Sequence, residues 1–172
     1  ARYLAAGLGG TAVVAGVAIL AVATLRTFRA SRRRDAAAWS FVCAAGWLLA
    51  TVVAGVGMAL NRRHGFLPLS MVDLLRAHAH LGLVGYFASL LQGVTFQLVP
   101  MFTMGEARRP RLAMAGLLAT QAGLPILAAG LAWGARGPTA VGAGVVAAGL
   151  VGTGWALAAT LATRRRRRLD VG

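Results

Sequence analysis

The sequence predicts an all-α protein, a polytopic transmembrane helix bundle. Hydrophobic residues make up 58% of the chain, its mean hydropathy is +0.71, and its apolar residues fall into long blocks. A block of about 20 apolar residues is long enough to cross a bilayer as a helix. The segments between the blocks are too short to hold a soluble domain, so we expect a single bundle over residues 1–172.

Five blocks are long enough to span the membrane, at about 3–25, 36–60, 71–102, 112–133 and 139–163. The first two are rich in alanine and glycine and contain no charged residue. The first lacks the charged leading region of a cleavable signal sequence, and the missing initiator methionine indicates a processed or partial chain.

Local signals define the other three blocks. Ser70-Met71-Val72-Asp73 has the form of a capping box, which predicts that the third helix begins near Met71. Pro125 lies inside the fourth block and is expected to kink that helix. In the fifth block, small residues recur at a spacing of four, which predicts a close helix contact: Gly144, Ala148, Gly152 and Ala156.

The arginines predict the orientation of the bundle. All eighteen basic residues are arginine, and thirteen fall in the loop after the first block, the loop after the third block and the C-terminal tail. By the positive-inside rule, these segments face the cytoplasm and the N-terminus lies outside. We expect a multi-pass protein of a bacterial or archaeal inner (cytoplasmic) membrane. Short arginine runs between apolar blocks contact lipid headgroups, so the expected partner is the lipid bilayer and not nucleic acid.

His78 and His80 are the main candidates for chemistry. The chain has only three histidines, one cysteine and four carboxylates, and an imidazole at membrane depth is costly unless it has a function. Two residues subtend about 200° on an ideal helix, so the two rings point to nearly opposite faces and cannot share one metal. His78 heads a small and polar row, whereas His80 heads an apolar row.

The row below His78 predicts a heme ligand. Gly82 and Gly85 would leave room for the edge of a flat macrocycle, and the imidazole of His78 would bind the iron axially. The alternatives are a hydrogen-bonded interhelical role for His78 and a structural or interfacial role for His80. His64 is expected to be a solvated histidine of the outer loop. The polar residues at depth are expected to bond across helices: Gln92, Gln97 and Gln121.

The segment from Leu74 contains Arg-Ala-His-Ala-His-Leu-Gly-Leu-Val-Gly and ends in Gln-Leu-Val-Pro-Met-Phe at Phe102. From His78 to Phe102 it resembles the histidine-bearing second helix of heme-copper oxidase subunit I, in the branch of the C-type oxidases and nitric oxide reductases. The resemblance implies that His78 is an axial ligand to heme b and that Gly85 matches a glycine of that helix. It also implies that Arg76 lies near the heme propionates.

The remainder of the chain departs from that family. It lacks a second intramembrane histidine for heme b and a histidine cluster for copper, so it is not expected to be a complete oxygen or nitric oxide reductase by itself. The resemblance implies a subunit associated with heme b and electron transfer in a larger respiratory-type complex, where another membrane subunit supplies the second ligand. Copper held by His78 and His80 is less favoured. The alternative function is a cofactor-free structural or assembly subunit.

Overall fold

Five helices make up the fold in a computed structural model, which describes the backbone of residues 2–163 and the side chains of residues 9–163. All five are long and apolar enough to cross a membrane, and the described residues contain no strand. This confirms the predicted all-α, multi-pass architecture. The helices are α1 (Arg2–Ala30), α2 (Ala36–His64), α3 (Met71–Thr103), α4 (Pro110–Ala132) and α5 (Arg136–Leu161).

Two helix starts show how side chains set the boundaries. The carboxylate of Asp35 caps α2 by accepting a hydrogen bond from the backbone N–H of Ala38 at 2.9 Å. Helix α3 begins at Met71 as predicted, but the Ser70 hydroxyl makes no capping bond. The predicted start of the helix is therefore right, but the predicted capping bond of Ser70 is absent. The carboxylate of Asp73 accepts from Arg76 at 3.2 Å.

Helix α3 is continuous but not uniform. Its α-helical first part ends at His80, residues Leu81–Ala88 form a π-helix, and the α-helix resumes at Ser89. π-helical turns are rare and occur frequently at functional sites. The sequence pattern predicts an ideal α-helix over this segment. The wider turns directly after His80 therefore differ from the prediction.

Helices α4 and α5 form the tightest pair in the fold, an antiparallel hairpin in which backbones touch. A β-carbon built on Gly116 would lie 2.8 Å from the carbonyl oxygen of Gly149, and one on Gly123 would lie 2.8 Å from the amide nitrogen of Val146. Only glycine permits this approach. In lipid, such close contact between small residues is what drives helices to associate.

The small-residue row predicted for α5 is confirmed for two of its four members and wrong for the other two. A β-carbon on Gly152 would lie 3.6 Å from Cα of Gly116, and Ala156 is buried. A β-carbon on Gly144 would meet no atom within 4 Å, and Ala148 is exposed. The buried face instead alternates spacings of four and three: Gly142, Val146, Gly149, Thr153, Ala156 and Thr160. A strict spacing of four drifts by about 40° per step on a helix of 3.6 residues per turn, so the predicted row winds away from the partner helix.

The arginine-rich segments meet at one end of the bundle. The Arg33 guanidinium, in the loop after α1, donates to the amide oxygen of Gln97 near the end of α3 at 2.9 Å. The backbone N–H of Glu106, in the loop after α3, donates to the Thr163 hydroxyl at 3.2 Å. These contacts confirm that the loops share one end. Arg164 to Arg168 lie outside the described residues, and the membrane side of this end stays a prediction.

Helix α1 is the least integrated of the five. It packs mainly against α2, and none of its apolar span, Gly9–Ala30, is buried inside the bundle. Large side chains on it are open to the surroundings, with Ile19 71% exposed. The core therefore lies among α2 to α5, and α1 is a peripheral helix.

Candidate functional site

The small face of α3 that begins at His78 lies against α2. The two helices run antiparallel, so successive positions along α3 meet α2 at positions of decreasing number. His78 lies on Gly55, Gly82 on Thr51, Gly85 on Trp47 and Gly93 on Ser40 and Phe41. The residues predicted as one row thus do share one face, and side chains of α2 cover it.

The imidazole of His78 occupies a notch at Gly55. A β-carbon on Gly55 would lie 3.2 Å from Cε1 of His78, and 3.8 and 3.9 Å from Nδ1 and Nε2. The Nδ1 atom is buried and has no hydrogen-bond partner among the described residues. An unsatisfied buried polar group costs about 1–3 kcal/mol. The hydrogen-bonded interhelical role that was the alternative for His78 is therefore not what this part of the chain shows.

His80 has different surroundings. Its Nδ1 lies 2.8 Å from the carbonyl oxygen of Arg76, one turn earlier in the same helix. A carbonyl oxygen only accepts hydrogen bonds, so Nδ1 is the donor in this contact. His78 and His80 therefore do not converge on one point, and the described residues contain no group of three or more histidine, cysteine or acidic side chains that could hold a metal ion.

The two glycines predicted beside a macrocycle are covered by protein. A β-carbon on Gly82 would lie 3.5 Å from Cγ2 of Thr51, and one on Gly85 would lie 2.8 Å from Cγ of Trp47 and 2.9 Å from Cδ2 of Leu124. A porphyrin does not fit along this face while α2 is packed on it. His78 keeps an imidazole nitrogen without a hydrogen-bond partner among the described residues, a group able to coordinate a metal. The assignment of His78, Gly82 and Gly85 to a cofactor stays a prediction.

Two further predicted residues lie at the same end of the bundle as His78. Arg76 forms its ion pair with Asp73 at the surface, where its side chain is 63% exposed. Any anion that Arg76 binds must therefore compete with this carboxylate. His64 is the last residue of α2 and is exposed, as the sequence predicted.

A polar chain crosses the bundle below the histidines. The indole N–H of Trp47 in α2 donates to the amide oxygen of Gln121 in α4, and the amide N–H of Gln121 donates to the Ser89 hydroxyl in α3 at 2.9 Å. These hydrogen bonds connect α2, α3 and α4 inside the bundle, where no lipid group can compete for them.

The three deep glutamines have different outcomes. The predicted bond across helices is confirmed for Gln121, which bonds to Trp47 and Ser89. It is wrong for Gln97, whose amide oxygen accepts from Arg33 in the loop after α1. The prediction is wrong for Gln92, which is only 4% exposed and whose amide nitrogen and oxygen both lack a partner in the described part of the chain. Its position on α3 places it on the face that α2 covers, where the facing side chains offer it no bond.

Sequence reasoning missed Gly55, Thr51 and Trp47, the α2 residues that define the site. Gly55 belongs to an alanine- and glycine-rich helix in which several glycines, such as Gly46 and Gly57, meet nothing within 4 Å. Nothing in the composition of α2 distinguishes the glycine that faces His78. Only the register of α2 against α3 identifies it.

Comparisons with protein-family models, with curated proteins and with solved structures gave no match for this chain.

Proposed function

We propose that this chain is an integral membrane subunit that binds heme b through His78 and takes part in electron transfer within a larger respiratory-type complex. The observation that carries the proposal is the buried Nδ1 of His78, which has no hydrogen-bond partner among the described residues. Buried polar groups are normally satisfied, and an exception in a membrane helix calls for a functional explanation. Axial coordination is the chemistry that the resemblance implies for this residue.

Three residues of this chain would have separate roles in binding heme b. His78 would supply one ligand, and the absence of a side chain on Gly55 leaves the space that its ring occupies. Arg76 lies two residues away and would supply a cation for a heme propionate, in competition with the carboxylate of Asp73 that it pairs with at 3.2 Å. When bound, heme b supplies one-electron transfer at a potential that its axial ligands tune.

The second axial ligand is expected from another subunit. His80 and His64 are the remaining histidines, and neither shares the surroundings of His78. The glycine face of α3 is filled by α2, so a heme held by His78 would not lie along Gly82 and Gly85. A partner helix would complete the coordination.

An optical spectrum of the full chain tests the proposal. The chain is expressed in a heme-replete host and purified in mild detergent, and its heme is quantified by the pyridine hemochrome assay. We expect a Soret band that His78→Ala removes and that His64→Ala, the exposed control, leaves unchanged. Thermal melting of both variants checks that they are folded. Wild-type protein that contains no heme, alone or co-purified with its membrane partners, would contradict the proposal.

A cofactor-free structural or assembly subunit is the second candidate function. One observation favours it: the small face of α3 is used for close packing, since β-carbons on Gly85 and Gly93 would lie 2.8 and 3.2 Å from α2 side chains. Under this function, His78→Ala changes the recovery of the assembled complex but alters no spectrum. Loss of a chromophore in that variant would reject it.

A further inference from the structure

A cavity of about 500 Å³ opens at the arginine-rich end of the bundle, at the opposite end from His78. It lies between the first residues of α2 and α4 and the last turns of α3 and α5. Its rim carries four arginines, and its floor is apolar, with Phe96, Met114 and Leu157 beside small alanines. We call it the basic cavity; its rim arginines are Arg33, Arg34, Arg109 and Arg111.

The rim carries more positive charge than its own carboxylate neutralises. Asp35 is the one acidic residue in the lining, and its carboxylate lies 2.6 Å from the guanidinium of Arg33. Arg34 donates only to backbone carbonyls, including that of Ser31 at 2.6 Å. Arg109 and Arg111 are exposed and form no ion pair with any described residue. Three guanidinium groups are thus left to attract an anion.

Two helix N-termini add to this positive potential. Helix α2 begins at Ala36 and helix α4 at Pro110, and both residues line the basic cavity. The first amide groups of a helix have no intrahelical acceptor, and the helix dipole favours negative charge beside them. Asp35 caps α2, whereas α4 has Arg109 at its N-cap position and no side-chain capping bond. The N-terminus of α4 is therefore open to an external anion.

The apolar floor determines what kind of anion fits. Beside the basic cavity, a second cavity of about 460 Å³ lies between α1 and α2 and shares Arg33, Ala37 and Gln97 with it. Both are lined mainly by apolar side chains, close to the ends of the candidate membrane spans. A soluble phosphate would satisfy the arginines but leave the floor in contact with water. An amphiphile with a negative headgroup satisfies both parts.

We propose that the basic cavity binds an anionic phospholipid, whose headgroup phosphate lies between Arg109 and Arg111 and whose acyl chain covers the apolar floor. Basic pockets between transmembrane helices are a known arrangement for anionic headgroups. The site is independent of His78 and of any heme, because it lies at the other end of the bundle.

Native mass spectrometry of the full chain in neutral detergent tests the proposal, with phosphatidylglycerol or phosphatidylcholine as the titrated lipid. We expect phosphatidylglycerol to bind preferentially, and Arg109→Gln/Arg111→Gln to weaken its binding about 10-fold or more. The matched control is Arg62→Gln/Arg63→Gln, which removes the same charge from exposed positions at the end of α2. It should leave the affinity unchanged.

Two further measurements separate the lipid from a free anion. Leu157→Gln keeps every arginine but makes the floor polar, so it should weaken phosphatidylglycerol binding. Inorganic phosphate should not displace the lipid at equal concentration. Equal affinity for the two lipids, equal weakening by both arginine pairs, or displacement by inorganic phosphate would each overturn the proposal. Circular dichroism of every variant confirms that the helices are intact.

Discussion

Gly149→Ala is the substitution that most directly tests the contact between α4 and α5. A β-carbon on Gly149 would lie 2.7 Å from the carbonyl oxygen of Gly116 and 2.7 Å from the amide nitrogen of Thr120. Ordinary contact begins at 3.4 Å, so the methyl group is about 0.7 Å too close to backbone atoms that no rotamer change can move. The two helices must separate to accept it.

The size of the effect follows from that separation. A gap of about 0.5–1 Å forfeits a quarter to a half of the dispersion energy of the atoms that lose contact. Overpacking of this kind costs about 1–3 kcal/mol, and the helix preference of alanine over glycine returns up to about 1 kcal/mol. We expect Gly149→Ala to lower the free energy of unfolding by about 1–2 kcal/mol. Gly144→Ala has open space at its β-carbon, so it should be neutral or slightly stabilising.

Unfolding in mixed micelles, followed by circular dichroism as the fraction of denaturing detergent rises, measures both variants on one scale. The two substitutions add the same atom to the same helix five residues apart, so helix propensity and hydrophobicity cancel in their difference. The difference should therefore equal the overpacking cost, about 1–3 kcal/mol. If Gly149→Ala is as stable as Gly144→Ala, the backbone contact between α4 and α5 does not exist as described.

Two other predictions concern polar groups. Gln92→Leu removes two unsatisfied amide atoms, so it should be neutral or stabilising in the same unfolding assay. Gln121→Leu breaks the bonds to Trp47 and Ser89, so it should lower the free energy of unfolding by about 1–3 kcal/mol. A destabilised Gln92→Leu would show that Gln92 has a partner. The pKa of Asp35 provides the second prediction. Burial alone would raise it, but the hydrogen bonds from Ala38 and Arg33 and the charge of Arg33 hold it below its ordinary value of 3.8. A lowered folded-state pKa stabilises the fold above the ordinary value and loses that contribution as the pH falls through the folded-state value. The loss of thermal stability on acidification below pH 3.8 should therefore be smaller in Asp35→Asn than in the wild type, and equal losses would contradict the Arg33 pair.

The number and extent of the helices were predictable because each depends on a local property. An apolar run of sufficient length forms a helix in a membrane whatever its neighbours are, since no water is there to satisfy the backbone. The third helix was predicted at 71–102 and is found at Met71–Thr103. The end of α2 likewise follows from Gly65, whose positive φ of 63° closes the helix in a conformation that glycine favours.

The details that depend on two helices at once were not predictable. Gly142 and Gly144 are chemically identical residues of α5. Gly142 packs against the backbone of Leu127 in α4, whereas Gly144 has no neighbouring atom within 4 Å of its β-position. The sequence showed a small face below His78 but not that Trp47 and Thr51 would cover it. The π-helix after His80 also has no distinct residue signature in Leu81–Ala88. Each of these features depends on the register between neighbouring helices. A single sequence does not reveal that register.

The peripheral position of α1 has a consequence for how this protein can change during evolution. A helix with none of its apolar span buried is constrained by composition and length, because exchange of one aliphatic side chain for another leaves its lipid contacts unaltered. The paired faces of α4 and α5 are constrained residue by residue, since even a methyl group disrupts them. Related sequences should therefore diverge fastest in α1 and slowest at the glycines of the α4–α5 hairpin.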